Sequence, residues 1–151
     1  MIQGKWFAPG EDLTDNVAPV RRAVFGVPCP PSDPQGWNAL VFLDDHPAAS
    51  GRIWWQDGAF WLGDIGVLPA FRGRRLGDLT LRLLLFKAQS HAAREVRLLC
   101  PPETEGFFSR LGFRRADPAA AAGPIEMFLP GDQISLDSCA NCAKQNCPNR
   151  K

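Results

Sequence analysis

Residues 63–78 read Gly63-Asp64-Ile65-Gly66-Val67-Leu68-Pro69-Ala70-Phe71-Arg72-Gly73-Arg74-Arg75-Leu76-Gly77-Asp78. An apolar strand pattern runs to Val67, Pro69 stops it, a basic glycine-bearing loop follows, and from Leu76 leucines recur at helical spacing. A strand-to-helix turn of this kind aims backbone N–H groups and the positive end of a helix dipole at one point, where hydrogen bonds and charge both favour a pyrophosphate. Glycines in the turn let an anion approach the backbone closely. Pro69 cannot donate to a ladder, so it helps to end sheet pairing and leaves a neighbouring edge open to an extended partner. Standing alone, Arg-Gly-Arg-Arg reads as a tight connection with exposed arginines. The surrounding pattern decides between the two.

Downstream, residues 74–94 carry Leu76, Leu79, Leu83 and Phe86 on one stripe, with Leu84 and Leu85 filling in, which predicts an amphipathic helix of about five turns. Residues 95–100 are a compact apolar strand ended by Pro101-Pro102. Residues 103–111 predict a short helix closed by Gly112, 116–124 a loop, and 125–129 a last strand. After Gly131 the chain turns polar and cysteine-bearing, so the expected division is a domain at 1–131 and a tail at 132–151.

Upstream lie three apolar runs, 37–43, 50–56 and 59–67, separated by Asp44-Asp45-His46-Pro47 and by Asp57-Gly58. Those separators are turn chemistry, and the runs predict an antiparallel meander. Residues 28–36, with four prolines, cannot continue a helix and read as a loop. Before them Leu13, Val17, Val20 and Val24 recur at helical spacing, with Asp12 or Thr14 to cap and with Arg21 and Arg22 on the other side. Residues 2–7 are a first strand. The order of elements predicts an α/β or α+β domain, with helices covering a mixed, mostly antiparallel sheet.

A chain of 151 residues fits one domain with a core of its own. A net charge of +1 gives no electrostatic argument for nucleic acid or membrane. No run approaches the roughly 20 apolar residues that span a bilayer, and the first ten residues hold no signal-length apolar stretch, so the expected location is the cytoplasm. Five cysteines are an odd number, which argues against a complete disulfide framework. Tyrosine is absent.

The run from Val67 through Pro69 and Arg72 to Gly77, set between a strand and a long helix, resembles the acetyl-CoA signature of GNAT acetyltransferases, in which Arg/Gln-x-x-Gly-x-Gly/Ala wraps the pyrophosphate. Arg72 and Gly77 match; Arg75 stands where the family most often has glycine. Downstream, Gly106-Phe107-Phe108-Ser109-Arg110-Leu111-Gly112-Phe113 resembles the family's Phe-Tyr-x-x-Leu-Gly-Phe helix. Upstream, Arg22-Ala23-Val24-Phe25 before a proline-rich loop is similar to the ElaA-like branch. The resemblance covers residues 1–130 and implies a GNAT-like fold, acetyl-CoA as co-substrate and N-acetyl transfer. It further implies that the backbone N–H groups of Arg72, Gly73, Arg74, Arg75, Leu76 and Gly77 bind the pyrophosphate, while main-chain atoms of Ile65 and Val67 hold the pantetheine.

Acetyl transfer from a thioester to an amine needs a base to accept a proton and a means of stabilising the departing thiolate. The family usually places an acid on the strand before the loop and a tyrosine on the later helix. Here the tyrosine position is Phe108, leaving water, Ser109, Cys100 or unassisted departure; a thiol with a pKa of about 8.5 tolerates the last. For the base the first candidate is Asp64, which also reads as a solvated strand aspartate, and the second is Glu103. His46 and His91 read as a turn and a helix-end residue. Trp54, Trp55, Phe60 and Trp61 either line a pocket for an apolar amine or belong to the core. The acceptor, small molecule or peptide, is not written in the sequence, and homodimer formation is left open. The competing readings are a non-catalytic acyl-CoA sensor, or an interaction module, on the same fold.

In the tail, Cys139 and Cys142 have the two-residue spacing of zinc and iron–sulfur ligands, with Cys147 as a third thiolate. A fourth ligand would come from Cys29, Cys100, a histidine, water or another chain. A redox-sensitive tail and a chance cluster are the alternatives.

Overall fold

The computed structural model describes residues 1–119 and 123–134. Its strands are β1 (Ile2–Phe7), β2 (Gly36–Leu43), β3 (His46–Gln56), β4 (Ala59–Val67), β5 (Glu95–Cys100), β6 (Arg114–Arg115) and β7 (Ile125–Pro130). Its helices are α1 (Val17–Phe25), α2 (Leu76–Ser90) and α3 (Glu105–Ser109). The strands form one sheet in the order β1-β2-β3-β4-β5-β7-β6. Every neighbouring pair is antiparallel except β4 and β5, the two strands that α2 connects. A parallel pair needs such a crossover, whereas β2-β3-β4 is the meander that the turn residues predict. Asp44 and Asp45 (φ 50° and 68°) and Asp57 and Gly58 (φ 52° and 80°) make the two tight left-handed turns between these strands.

The sheet is covered on both faces. Leu81, Leu84, Leu85 and Ala88 of α2 pack with Ala39, Ile53, Leu62, Val96 and Leu98 in the larger core. On the opposite face Val17 and Val20 of α1 pack with Phe7, Leu13 and Leu40.

Four local expectations need correction. The first helix starts at Val17 rather than near Asp12: Asn16 accepts from the Val17 N–H at 2.6 Å, while Asp12 closes a turn on Thr14. The buried stripe of α2 is rotated from the one that leucine spacing suggests, and Phe86 is exposed. Thr80 takes a place on the inner face because its hydroxyl donates to the Leu76 carbonyl at 2.7 Å, which satisfies it without water. Arg21, expected on the outer side of α1, is buried. The two-residue strand β6 has no counterpart in the sequence reading, because Arg114-Arg115 is too short and too charged to show a period of two.

Candidate active site

The parallel pair β4/β5 holds register only over Phe60–Val96, Trp61–Arg97 and Leu62–Leu98. Beyond Leu62, β4 carries a bulge. Gly63 lies opposite Arg52 and Gly66 opposite Ser50, so Asp64 and Ile65 together face the single residue Gly51. Asp64 takes a positive φ of 52° there. A bulge bends its strand, and with pairing lost a wedge opens between β4 and the end of β5. Past the bulge, the Leu68 N–H donates to the Ala48 carbonyl at 2.8 Å. The alternation of an antiparallel ladder then turns the N–H and C=O of Val67, and of Ile65 two residues earlier, away from β3 and into the wedge.

The wedge holds a cavity of about 510 Å³ whose walls include Asp64, Ile65, Val67, Cys100, Thr104 and Phe108. A second cavity of about 490 Å³ lies at its mouth, bounded by Arg72, Gly73, Arg75, Leu76, Gly77 and Arg110. The two share Val67, Arg72, Gly77 and Phe107, which makes one continuous cleft from the turn to the middle of the sheet. At the mouth the first turn of α2 presents N–H groups without intrahelical acceptors. Asp78, an acid in that first turn, is neutralised by Arg82 at 3.1 Å. Arg75 sits at the start of α2 with φ 61° and ψ 23°, a left-handed conformation that glycine adopts without strain. Gly77 faces the cleft: a Cβ there would meet only Val67 Cγ2, at 3.6 Å.

A model of the acetyltransferase (GNAT) family matches residues 13–113. The chain belongs to the GNAT acetyltransferase family. The fold agrees. Escherichia coli ElaA aligns at a TM-score of 0.70 and 23% identity, covering 85% of this chain and 99% of its own. The ribosomal-protein-S18-alanine N-acetyltransferase of Escherichia coli aligns at 0.69 and 16%, covering 97% of this chain and 99% of its own. A GNAT acetyltransferase from Elizabethkingia anophelis, solved with acetyl-CoA bound, aligns at 0.65 and 13%, covering 85% and 97%. No curated protein matches the sequence.

Within this GNAT domain the residues singled out in the sequence do not all converge. Arg72, Gly73, Arg75, Leu76 and Gly77 line the mouth, and Asp64, Ile65 and Val67 the inner cleft. Arg74 is not among the lining residues. Arg72 Nε donates to the Val67 carbonyl at 3.1 Å, so of the two polar main-chain groups of Val67 the N–H is the one left facing the wedge. Asp64 is about half exposed and lies 3.7 Å from the Arg21 guanidinium. Glu103, by contrast, is exposed in the turn Pro102–Thr104 and lines neither cavity. Phe108 is buried edge-on against Phe107 and Phe113, with ring centroids 5.0 and 6.0 Å away.

Two proton-bearing side chains remain beside Phe108. Cys100 is buried, which pushes its thiol up and keeps it protonated. Thr104 already donates its hydroxyl to the Pro101 carbonyl at 3.0 Å. Ser109 is exposed on α3 and lines neither cavity. The aromatic residues Trp54, Trp55, Phe60 and Trp61 cluster towards the β3–β4 turn, and none lines the cleft. Phe60 instead packs on Trp55 and His91.

The residue that sequence reasoning misplaced is Arg21. Among the described residues its guanidinium reaches Asn38 Oδ1, Cys29 Sγ at 3.3 Å and Asp64. The signal was present: Val17, Val20, Arg21 and Val24 are one helical stripe, and position 21 lies inside it. Cys139, Cys142 and Cys147 lie outside the described residues. Among the described residues no group of three or more His, Cys, Asp or Glu stands ready to hold a metal, and no helix is long and apolar enough to cross a membrane.

Proposed function

We propose that the chain is an N-acetyltransferase that passes the acetyl group of acetyl-CoA directly to an amine. The observation that carries this reading is the wedge between β4 and β5, with the basic turn of residues 72–77 at its mouth. The pyrophosphate fits against the first turn of α2, where unpaired N–H groups and the helix dipole meet Arg72 and Arg75. The pantetheine fits along β4, with the Val67 N–H as a partner, and the thioester then falls beside the bulge.

In that pose Asp64 is the base. The amine nitrogen attacks the thioester carbonyl, the C–S bond breaks, and the amine proton passes to the Asp64 carboxylate directly or through one water. The thiolate leaves into the apolar end of the wedge, beside the Cys100 thiol and without a tyrosine to protonate it. Glu103, exposed and outside the cleft, gives way to Asp64.

Phe108 in the tyrosine position favours a second reading, a domain that binds acyl-CoA without turnover. Release of CoA thiol, followed with acetyl-CoA and a panel of amines, separates the two. Amine-dependent release that Asp64→Asn lowers by about 100-fold supports the transferase. Binding of acetyl-CoA with no release from any amine selects the sensor.

A further inference from the structure

On the α1 face of the sheet a cavity of about 390 Å³ is lined by Arg21, Asp33, Arg52 and Asp64 together with residues of the proline-rich loop. Asp64 lines this cavity and the wedge alike, so the two meet at one residue. The two Arg–Asp pairs here are not equivalent. Arg52 grips Asp33 with two nitrogens, Nε to Oδ2 and Nη2 to Oδ1 at 3.1 Å, and Asn38 donates to Oδ2 at 3.1 Å as well. That pair is saturated and fastens the loop to β3.

Arg21 is not saturated. Its side chain is 11% exposed, yet the carboxylate that pairs with it among the described residues, that of Asp64, stands at 3.7 Å, beyond hydrogen-bond reach. Its hydrogen-bond acceptors are a neutral amide oxygen and a thiol, and its Nε is buried with no partner among the described residues. A buried cation without a hydrogen-bonded counter-ion is costly and calls for an anion. The cavity offers room for one.

We propose that this cavity holds the acyl acceptor and that the acceptor is a free α-amino acid, whose carboxylate pairs with Arg21 while its amine faces Asp64. The inference rests on the transferase reading above and supplies its substrate class. An α-amino acid carries its amine and its carboxylate on one carbon, which matches a cation and a base set side by side at the bulge. Its neutral amine attacks the thioester, the proton passes to Asp64, and an N-acetylamino acid and CoA are released. Polyamines lack the carboxylate, and a polypeptide N-terminus has its carboxyl tied up as a peptide bond, so neither satisfies Arg21.

The test measures binding rather than turnover alone. The twenty L-amino acids are titrated into the CoA-saturated protein, and each that binds is compared with its amide and its decarboxylated amine. The expected result is that at least one amino acid binds, and that its amide and amine bind on the order of a hundredfold more weakly. The Arg21→Met variant should lose that preference and Arg21→Lys regain part of it; should Arg21→Met fail to fold, the acid–amide comparison on the native protein decides. Saturation with CoA but no binding of any free amino acid, equal binding of acid and amide, or a preference kept by Arg21→Met would overturn the inference and leave the cofactor reading standing. Failure to bind CoA at all would overturn both.

Discussion

Arg75 holds a left-handed conformation that costs a residue with a Cβ on the order of 1–2 kcal/mol, at the position of the turn where the signature it resembles has its first glycine. The turn takes a backbone conformation that suits glycine without having the glycine. Replacing Arg75 with glycine removes the strain and adds chain entropy to the unfolded state, two effects that partly cancel. The Arg75→Gly variant should therefore equal the parent or exceed it by up to about 1 kcal/mol in urea unfolding. A loss of several kcal/mol would mean the side chain holds the turn together. Gly77 makes the opposite case. Because a Cβ there meets only Val67, Gly77→Leu should fold with an unchanged or slightly raised thermal midpoint, since leucine is the better helix former. Its side chain then projects into the mouth, and acetyl-CoA affinity should fall at least 100-fold by calorimetry. Unchanged affinity in a folded Gly77→Leu protein would remove the turn from the cofactor site. At this scale the sequence was most informative where backbone need selects the residue, as at Asp57-Gly58, and least where a charge is buried. Arg21 looks like a solvent residue until its place on the valine stripe is counted.

The elements show why the wedge opens where it does. The register of β4 with β3 slips by one residue at Asp64–Ile65, and pairing with β5 stops at Leu62. Gly66 lies directly under α1: a Cβ there would stand 2.5 Å from Val24 Cγ1, so the bulged strand and the helix meet at a distance only glycine allows. Strand, turn and helix around this junction are legible in the sequence. The bulge itself is not, because hydrophobic alternation breaks at Gly63-Asp64-Ile65-Gly66 without saying on which side the extra residue lies. The proline-rich loop was legible only as a loop. What fastens it is Asp33: burial alone would raise its carboxyl, but the hydrogen bonds from Arg52 and Asn38 and the charge of Arg52 outweigh this and lower it to about 2 from 3.8. A carboxyl depressed in the folded state stabilises fully above its unfolded pKa, and that contribution is lost as pH falls through the folded one. The latch should contribute about 2 kcal/mol at neutral pH, fading between roughly pH 4 and pH 2. Urea unfolding over that range checks it. The stability gap between the parent and Asp33→Asn should narrow as pH falls, and a gap that stays constant would contradict the latch.

At the scale of the whole molecule, two helical layers sandwich a sheet whose single parallel pair divides into a wedge. In the proposed reading that division, not net charge or any surface patch, is what receives the cofactor. With a formal charge of +1 the protein has no broad field to gather a polyanion, so the proposed recognition rests on the local N–H groups and arginines at the mouth. The overall order of strands and helices could be read from turn residues and periodicity, which are local. The convergence of Arg21, Asp33, Arg52 and Asp64 from one helix, one loop and two strands could not, because contacts over such separations leave no mark on spacing. The most direct test of the central claim is calorimetric titration of acetyl-CoA into the folded protein. The account predicts one site per chain with affinity in the micromolar range, and unfolding stability raised by about 2.7 kcal/mol at a hundredfold excess over Kd. A folded protein that gives no binding heat and no stabilisation would contradict it, leaving the turn of residues 72–77 a simple connection.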